Sequence, residues 1–392
     1  MKTNLFADGG AAPAPTGSPR ICMPTWRNFR KNAYRCGLYE AQDVLAEMDD
    51  VDMIPIERGW GAWFDEYWLR TPLYHDVFSK LISINPGLKK VRLTKDYELF
   101  IAVCATFWDL PYINAIERWK DHCKVSVCWL DELWVSDIAD YKYWLPALKQ
   151  FDYVFVGYRG TVSALSRAVD RTCFWLPGGV DAVRFGPFYD GAGRAIDVYS
   201  IGRRYDGIHH QLLSAAQRGD IFYLYDSHVG GGLTEVHDPR QHRELFANMA
   251  KRSRYFVVAT AKMDQPDYRR GQVEVGYRYY EGAAAGAALI GDAPDCDAFN
   301  ELMGWPEAVI PIQPDGSDTM AVINEISADP EHLAAISRRN TLESLRRHDW
   351  CHRWNEMFQI AGVDPPRNPA RGRRLNHLAE VLANADERLP VA

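Results

Sequence analysis

The sequence contains no uninterrupted apolar run near the roughly 20 residues that a membrane-spanning helix needs. Residues 1–19, rich in Ala, Pro and Gly, lack the apolar stretch of a secretory signal, so a cytoplasmic protein is expected. Positive charge is not in excess: 45 Lys and Arg stand against 52 Asp and Glu, for a formal net charge of -7. That balance disfavours a broad grip on nucleic acid and points to a small anion held by local arginines. The eight cysteines include no C-x-x-C pair and are scattered singly, as expected of reduced thiols rather than disulfides. His348, Cys351 and His352 have ligand-like spacing but no fourth ligand nearby, so no metal site is expected. No G-x-G-x-x-G follows a strand-like run, which disfavours a hydride-transferring dinucleotide enzyme.

Apolar surface, by contrast, is plentiful: 47% of the 392 residues are hydrophobic, enough for two cores. Strand-like runs alternate with amphipathic helical segments along the whole chain, the pattern of α/β folds with helices covering parallel sheets. In the first half, 20–23, 51–56, 99–106, 124–130, 151–157 and 172–176 read as strands, with helices at 32–48 and 161–168. The segment 186–194 is rich in glycine and poor in packing residues, which marks a boundary. A second series follows, with strands at 195–201, 221–225, 255–261, 288–291 and 308–312 and helices at 207–216 and 319–347. The expected organisation is a loose segment 1–19, a first unit 20–185, a linker 186–194, a second unit 195–347, a helix 348–363 and a tail 364–392. Trp350, Trp354, Met357 and Phe358 share one face of the helix at 348–363, which therefore needs a wall to lie on. Leu375, Leu378, Leu382 and Leu389 outline a last amphipathic piece that packs either on the body or on a partner.

The most informative stretch runs from Tyr277 to Asp292, Y-R-Y-Y-E-G-A-A-A-G-A-A-L-I-G-D. It reads as a helix opened by Glu281 whose small residues, from Gly282 on, keep neither a ligand nor a strand at a distance. The unpaired N–H groups of a helix's first turn favour an anion, so a diphosphate is expected there.

Four elements in order resemble one family. L-P-G-G-V-D-A-V-R-F-G-P (176–187) is similar to the "pNGvD...F.P" element of retaining nucleotide-sugar transferases, the glycosyl transferases group 1. S-I-G-R-R (200–204) resembles the "vGR" that opens their donor domain, and R-Y-Y-E-G-A-A-A-G-A-A-L-I-G-D resembles their "E-A-x-A-x-G-x-P-V-I" helix. R-N-T-L-E-S-L-R-R-H-D-W-C-H-R-W resembles the "H-T-y-x-x-R" tail of the CgeB-like branch. The resemblance implies GT-B architecture: two Rossmann-like domains facing each other across a cleft, with a C-terminal helix returning toward the N-terminal domain. It implies transfer of a sugar from a nucleoside diphosphate donor, UDP- or GDP-linked, to a hydroxyl of a glycan, lipid-linked or small-molecule acceptor, with retention and without a further cofactor or metal.

Carried across, Glu281 is the carboxylate for the nucleotide ribose, since its two oxygens suit a vicinal diol. Arg203 is the guanidinium that faces the diphosphate and stabilises the leaving charge, with Arg204 as the fallback. Each of these is also a residue that a helix start or a solvated surface accommodates with no function attached. The family's following lysine is absent; Ile208, His209 and His210 stand there, and a histidine protonated beside an anion supplies the missing charge. Lys262, Arg278 and Gly282 complete the expected donor set. The family's first glutamate is also missing: its position holds Val273, and Glu274 is one residue off the spacing.

Acceptor binding falls to the first half. Aromatic segments 59–68, 107–112 and 129–134 offer rings for sugar C–H faces, though tryptophans are more often packing residues. Asp131 and Glu132 are the carboxylates placed to orient or deprotonate an acceptor hydroxyl. No nucleic-acid partner is expected, and peripheral membrane contact and oligomeric state are left open. A nucleotide-sugar epimerase or hydrolase of the same architecture and a catalytically silent glycan-binding protein are the competing readings.

Overall fold

The computed structural model describes residues 18–61, 84–140, 144–188, 193–227 and 234–386. Along the first half run β1 (Ile21–Thr25), β2 (Val51–Pro55), β3 (Val91–Arg92), β4 (Tyr97–Cys104), β5 (Ile116–Glu117), β6 (Cys123–Leu130), β7 (Tyr153–Val156) and β8 (Phe174–Trp175). β3 and β5 pair with each other, and the remaining six form a parallel sheet ordered β2-β1-β4-β6-β7-β8. In the second half, β9 (Ile196–Ser200), β10 (Tyr223–Tyr225), β11 (Ser253–Val258), β12 (Ala288–Gly291) and β13 (Ile310–Pro311) form a second parallel sheet ordered β10-β9-β11-β12-β13. Parallel strands covered on both faces read as near-continuous apolar runs, and β4 and β6, Y-E-L-F-I-A-V-C and C-K-V-S-V-C-W-L, are of that kind.

The helices that position the cleft are α1 (Cys36–Met48), α2 (Val162–Val169), α3 (Asp206–Arg218), α4 (Pro239–Ala250), α5 (Tyr277–Ala284), α6 (Thr319–Ser327), α7 (Pro330–Arg347), α8 (Trp350–Ala361) and α9 (Ala370–Asp386). The single helix expected at 319–347 is two. The Asp329 carboxylate accepts from the His332 N–H, and Pro330 occupies the first turn, where its missing N–H costs nothing. α5 begins at Tyr277, so Glu281 lies in its second turn and does not open it. No helix among the described residues is long and apolar enough to cross a membrane.

α8 finds its wall on α1 of the first half. Trp350 and Trp354 are fully buried, donating from Nε1 to the Glu40 carboxylate at 3.1 Å and to the Ala41 carbonyl at 2.9 Å. α9 packs on the body against α7, with Leu375 and Leu378 in the core; Leu389 lies outside the described residues. Arg371 fixes α9 by donating to Asp181 and Asp349 at 2.6 and 2.8 Å. One apolar cluster runs from the first sheet (Met23, Val103, Trp129) through α1 and α8 to the second (Tyr199, Phe256, Leu289). The halves therefore share a core.

Two of the three aromatic segments expected to face an acceptor are largely buried instead, Trp129 in this shared core and Phe107, Leu110 and Tyr112 in a second core of the first half. Trp129 and Trp134 have no exposed surface, and Trp129 sits edge-on to Trp350 and Trp354 at 5.8 and 6.0 Å between centroids. Phe107, Leu110 and Tyr112 are buried as well. Large rings return the most apolar burial, and here the β6 ring closes the seam between the sheets. Trp60 is exposed, and 62–68 of the third segment lies outside the described residues.

Candidate functional site

β9 and β11 are neighbours in the second sheet, so the loops leaving their carboxyl ends lie side by side. Gly202, at φ +83, makes the turn after β9 that a residue with a Cβ rarely makes. Its N–H points at the Asp226 carboxylate, which also holds Arg204 at 2.8 Å. Arg203 pairs with Asp264 of the loop after β11 at 2.8 Å. Lys262, in that same loop, reaches across to the first half and places Nζ 2.5 Å from Glu132 Oε1, with the Tyr268 ring 4.1 Å away.

The opposing wall is the loop after β6. It approaches β7 so closely that a Cβ on Gly157 would lie 2.1 Å from the Asp131 carbonyl. Asp131 Oδ1 accepts from the Tyr277 hydroxyl at 2.5 Å, tying this loop to the first residue of α5. Burial pushes the Asp131 carboxyl up to about 7, aided by the charge of Glu132 and opposed by the tyrosine hydrogen bond. A carboxylate poised there exchanges its proton near neutral pH.

Glu281 is 1% exposed. One oxygen accepts from Arg243 and the other from Arg278. Burial alone would raise its pKa, yet Arg278 and Arg243 outweigh that cost and hold the carboxyl below its ordinary range. Arg278 also donates to the Ile201 carbonyl at 3.1 Å, so one guanidinium links Glu281 to the turn that carries Arg203. Arg243 in turn donates to both oxygens of Glu40 on α1, at 2.8 and 2.9 Å. Glu40 gathers further donors from the Asp181 N–H and the Trp350 indole, making it the buried hub of both halves.

Of the residues expected from sequence, Arg203, Arg204, Lys262, Arg278, Asp131 and Glu132 are thus gathered at the facing carboxyl ends of the two sheets. Gly282 is not. A Cβ there would lie 2.5 Å from the Leu289 side chain and 2.8 Å from Phe256, so this glycine lets α5 lie against β11 and β12 and faces no ligand. The small-residue run is helix-on-sheet packing, and the free amides of α5 are four residues earlier, at Tyr277. His209 stands beside β10, bonded to the Tyr223 hydroxyl at 2.9 Å, and burial together with Arg204 lowers its pKa. Glu274 accepts from the Gly160 N–H at 2.9 Å and from the Gln272 amide, clasping the first half.

Arg243 and Glu40 were missed. Their signal was present: Arg243 shares the apolar face of α4 with Phe246, Ala247 and Ala250, where an unpaired charge would be costly, and Glu40 lies among the buried residues of α1.

No family model matches the sequence, and no curated protein does. Among solved structures, the chain superposes on an α-glucosyltransferase bound to UDP and a 13-mer DNA containing a HMU base, with a TM-score of 0.52 at 12% identity, over 88% of this chain and 100% of that one. It superposes on Anabaena HepE bound to UDP-glucose with a TM-score of 0.50 at 11% identity, over 87% of this chain and 99% of that one. The fold is GT-B. At such identities the likeness bears on fold alone, and the chemistry must be argued from the side chains. In this GT-B frame a cation-bearing wall of the second sheet (Arg203, Lys262, Arg278) meets an acid-bearing wall of the first (Asp131, Glu132), and each cation is held by a carboxylate.

Proposed function

We propose that the protein is a glycosyltransferase of the CgeB-like branch that moves a sugar from UDP to a hydroxyl-bearing acceptor with retention of configuration. The donor unit is 195–347, the acceptor unit 20–185, and 186–194 joins them. The observation that carries this reading is the convergence of Arg203, Lys262, Arg278 and the α5 amino end at the carboxyl ends of β9 and β11, opposite Asp131 and Glu132. Open α/β sheets bind ligands at that edge, and a helix start with guanidinium groups suits a diphosphate. UDP is favoured because both structural neighbours hold a uridine diphosphate species.

The diphosphate exchanges places with resident carboxylates, taking Lys262 from Glu132 and Arg203 from Asp264. Arg278 turns from Glu281 to the diphosphate, which frees a Glu281 oxygen for the ribose diol. In the transfer, the bond from the anomeric carbon to the diphosphate oxygen breaks and one to the acceptor oxygen forms on the same face. The acceptor proton passes to the departing diphosphate. Arg203 stabilises the charge that develops on that group, and Asp131 orients the acceptor hydroxyl. The acceptor is a glycan, lipid-linked or small-molecule alcohol, and the enzyme works in the cytoplasm without binding nucleic acid.

A donor screen with UDP-, GDP-, ADP- and TDP-sugars, read by release of nucleoside diphosphate with and without acceptor, tests the proposal. Acceptor-dependent release from a UDP-sugar is expected. Rapid donor consumption without acceptor would mark an epimerase or hydrolase, and no calorimetric binding of any of the four nucleotides would mark a silent scaffold.

A further inference from the structure

Beside the donor wall, a groove of about 580 Å³ opens between the halves. Arg159, Ser163 and Trp175 line it from the first half, and Glu274, Asp297 and Glu301 from the second. Its volume lies within the roughly 300–1,000 Å³ of small-molecule sites. It adjoins the expected reaction centre: the Glu274 carbonyl accepts from the Ala261 N–H at 3.2 Å, next to Lys262, and Tyr277, three residues on, holds Asp131.

Its chemistry differs from that of the donor wall. Two exposed carboxylates, Asp297 and Glu301, stand with one guanidinium at the groove, while the Glu274 carboxylate is buried beneath it; that guanidinium is paired with Glu301 across the groove and lies 5.0 Å from the Trp175 ring centroid. Trp175 is held in place by donating from its indole to the Gly157 carbonyl at 3.1 Å. A fixed indole offers an apolar plane for sugar C–H faces, while carboxylates and a serine hydroxyl suit hydroxyl and ammonium donors. A phosphate brought among these carboxylates meets like charge, which disfavours wrong partners strongly. Resting on the transferase reading above, we infer that this groove is the acceptor subsite and takes an unphosphorylated, hydroxyl- or amine-bearing saccharide. A nucleic-acid acceptor is disfavoured there by the same charges.

Cys296 lines the groove as a partly exposed free thiol and reports its occupancy directly. The full chain is alkylated with N-ethylmaleimide, and the rate at Cys296 is read by peptide mass spectrometry in the presence of maltose, chitobiose, glucosamine or glucose 6-phosphate. At least one unphosphorylated saccharide is expected to slow alkylation about tenfold when supplied at roughly ten times its dissociation constant. Glucose 6-phosphate is expected to give no protection. Trp175→Ala removes the protection, Ser163→Trp blocks it by filling the groove, and Glu301→Gln weakens it most for glucosamine. Protection by glucose 6-phosphate equal to that by the unphosphorylated sugars, or by none of the four, overturns the inference. Calorimetry with UDP on the same preparations keeps the two readings apart. UDP binding without saccharide protection removes the subsite and leaves the donor site, whereas protection without UDP binding does the reverse.

Discussion

Lys262 Nζ lies 2.5 Å from Glu132 Oε1 across the cleft, joining the loop after β11 to the loop after β6. An ammonium held by a carboxylate is neutralised in place, and an incoming diphosphate must compete with that carboxylate for it. Glu132→Gln is therefore expected to strengthen UDP binding several-fold. Lys262→Met is expected to weaken it about 10–100-fold, the size of a charge-assisted contact of about 1.5–3 kcal/mol. Isothermal titration calorimetry measures both, and a weakening by Glu132→Gln comparable to that of Lys262→Met would contradict the exchange.

Arg203 is expected to act on the transition state more than on the bound donor. Arg203→Ala lowers kcat about 100–1,000-fold at saturating UDP-sugar, as loss of a stabiliser of developing charge does. Arg204, which Asp226 holds through both its carboxylate and its main-chain carbonyl, at 2.8 Å each, shows the smaller effect. Initial rates of UDP release at several donor concentrations separate kcat from KM, and equal losses at the two arginines would remove the distinction.

Arg243 satisfies two buried carboxylates at once, Glu40 and Glu281. Arg243→Ala leaves both without that partner, and a cost of about 3–5 kcal/mol is expected at pH 7. The loss shrinks as pH falls toward 4, because stranded carboxylates escape their penalty by protonation. Urea denaturation at the two pH values reads this directly, and a loss independent of pH would indicate packing alone.

Asp131 sets a second pH dependence with the opposite origin. Its carboxyl is raised to about 7 in the folded chain, above the ordinary value of 3.8, so between those values the folded state holds a proton that the unfolded chain does not. Its contribution to stability accordingly rises as pH falls from 8 toward 4 and is lost as pH climbs through 7. Asp131→Asn flattens that limb and raises the Tm at pH 8. If the ionised form orients the acceptor, the transfer rate climbs through pH 7 in the native chain and loses that limb in the variant. Thermal melts and rate profiles from pH 5 to 9 check both.

Gly282→Ala tests the reassignment of the small-residue run. The new methyl meets Leu289 and Phe256, and overpacking of this kind costs about 1–3 kcal/mol. UDP affinity of the folded variant is expected to match that of the native chain. A drop in affinity without a drop in Tm would return Gly282 to the donor site.

The α/β class and the order along the chain of the strands in the two main sheets were legible because they rest on local properties. Apolar runs such as F-I-A-V-C in β4 suit the interior of a parallel sheet, whereas the break at Asp329-Pro330 was passed over and the region read as one helix. The arginines after β9 and the lysine after β11 were legible for a similar reason, since a strand's end fixes where the next side chains go.

Which charges meet across the two halves was decided only in three dimensions. Glu40 and Arg243 are 203 positions apart, and Lys262 finds Glu132 only because the two sheets present their carboxyl ends to each other. The same holds for Trp129, whose ring could as well have stacked on a sugar, and for Gly282, whose missing side chain admits a strand and not a ligand. A sequence fixes what a residue can do through its chemistry and local periodicity. Whether it turns to the core, to a partner charge or to the cleft depends on contacts between segments far apart in the chain, which no local pattern encodes.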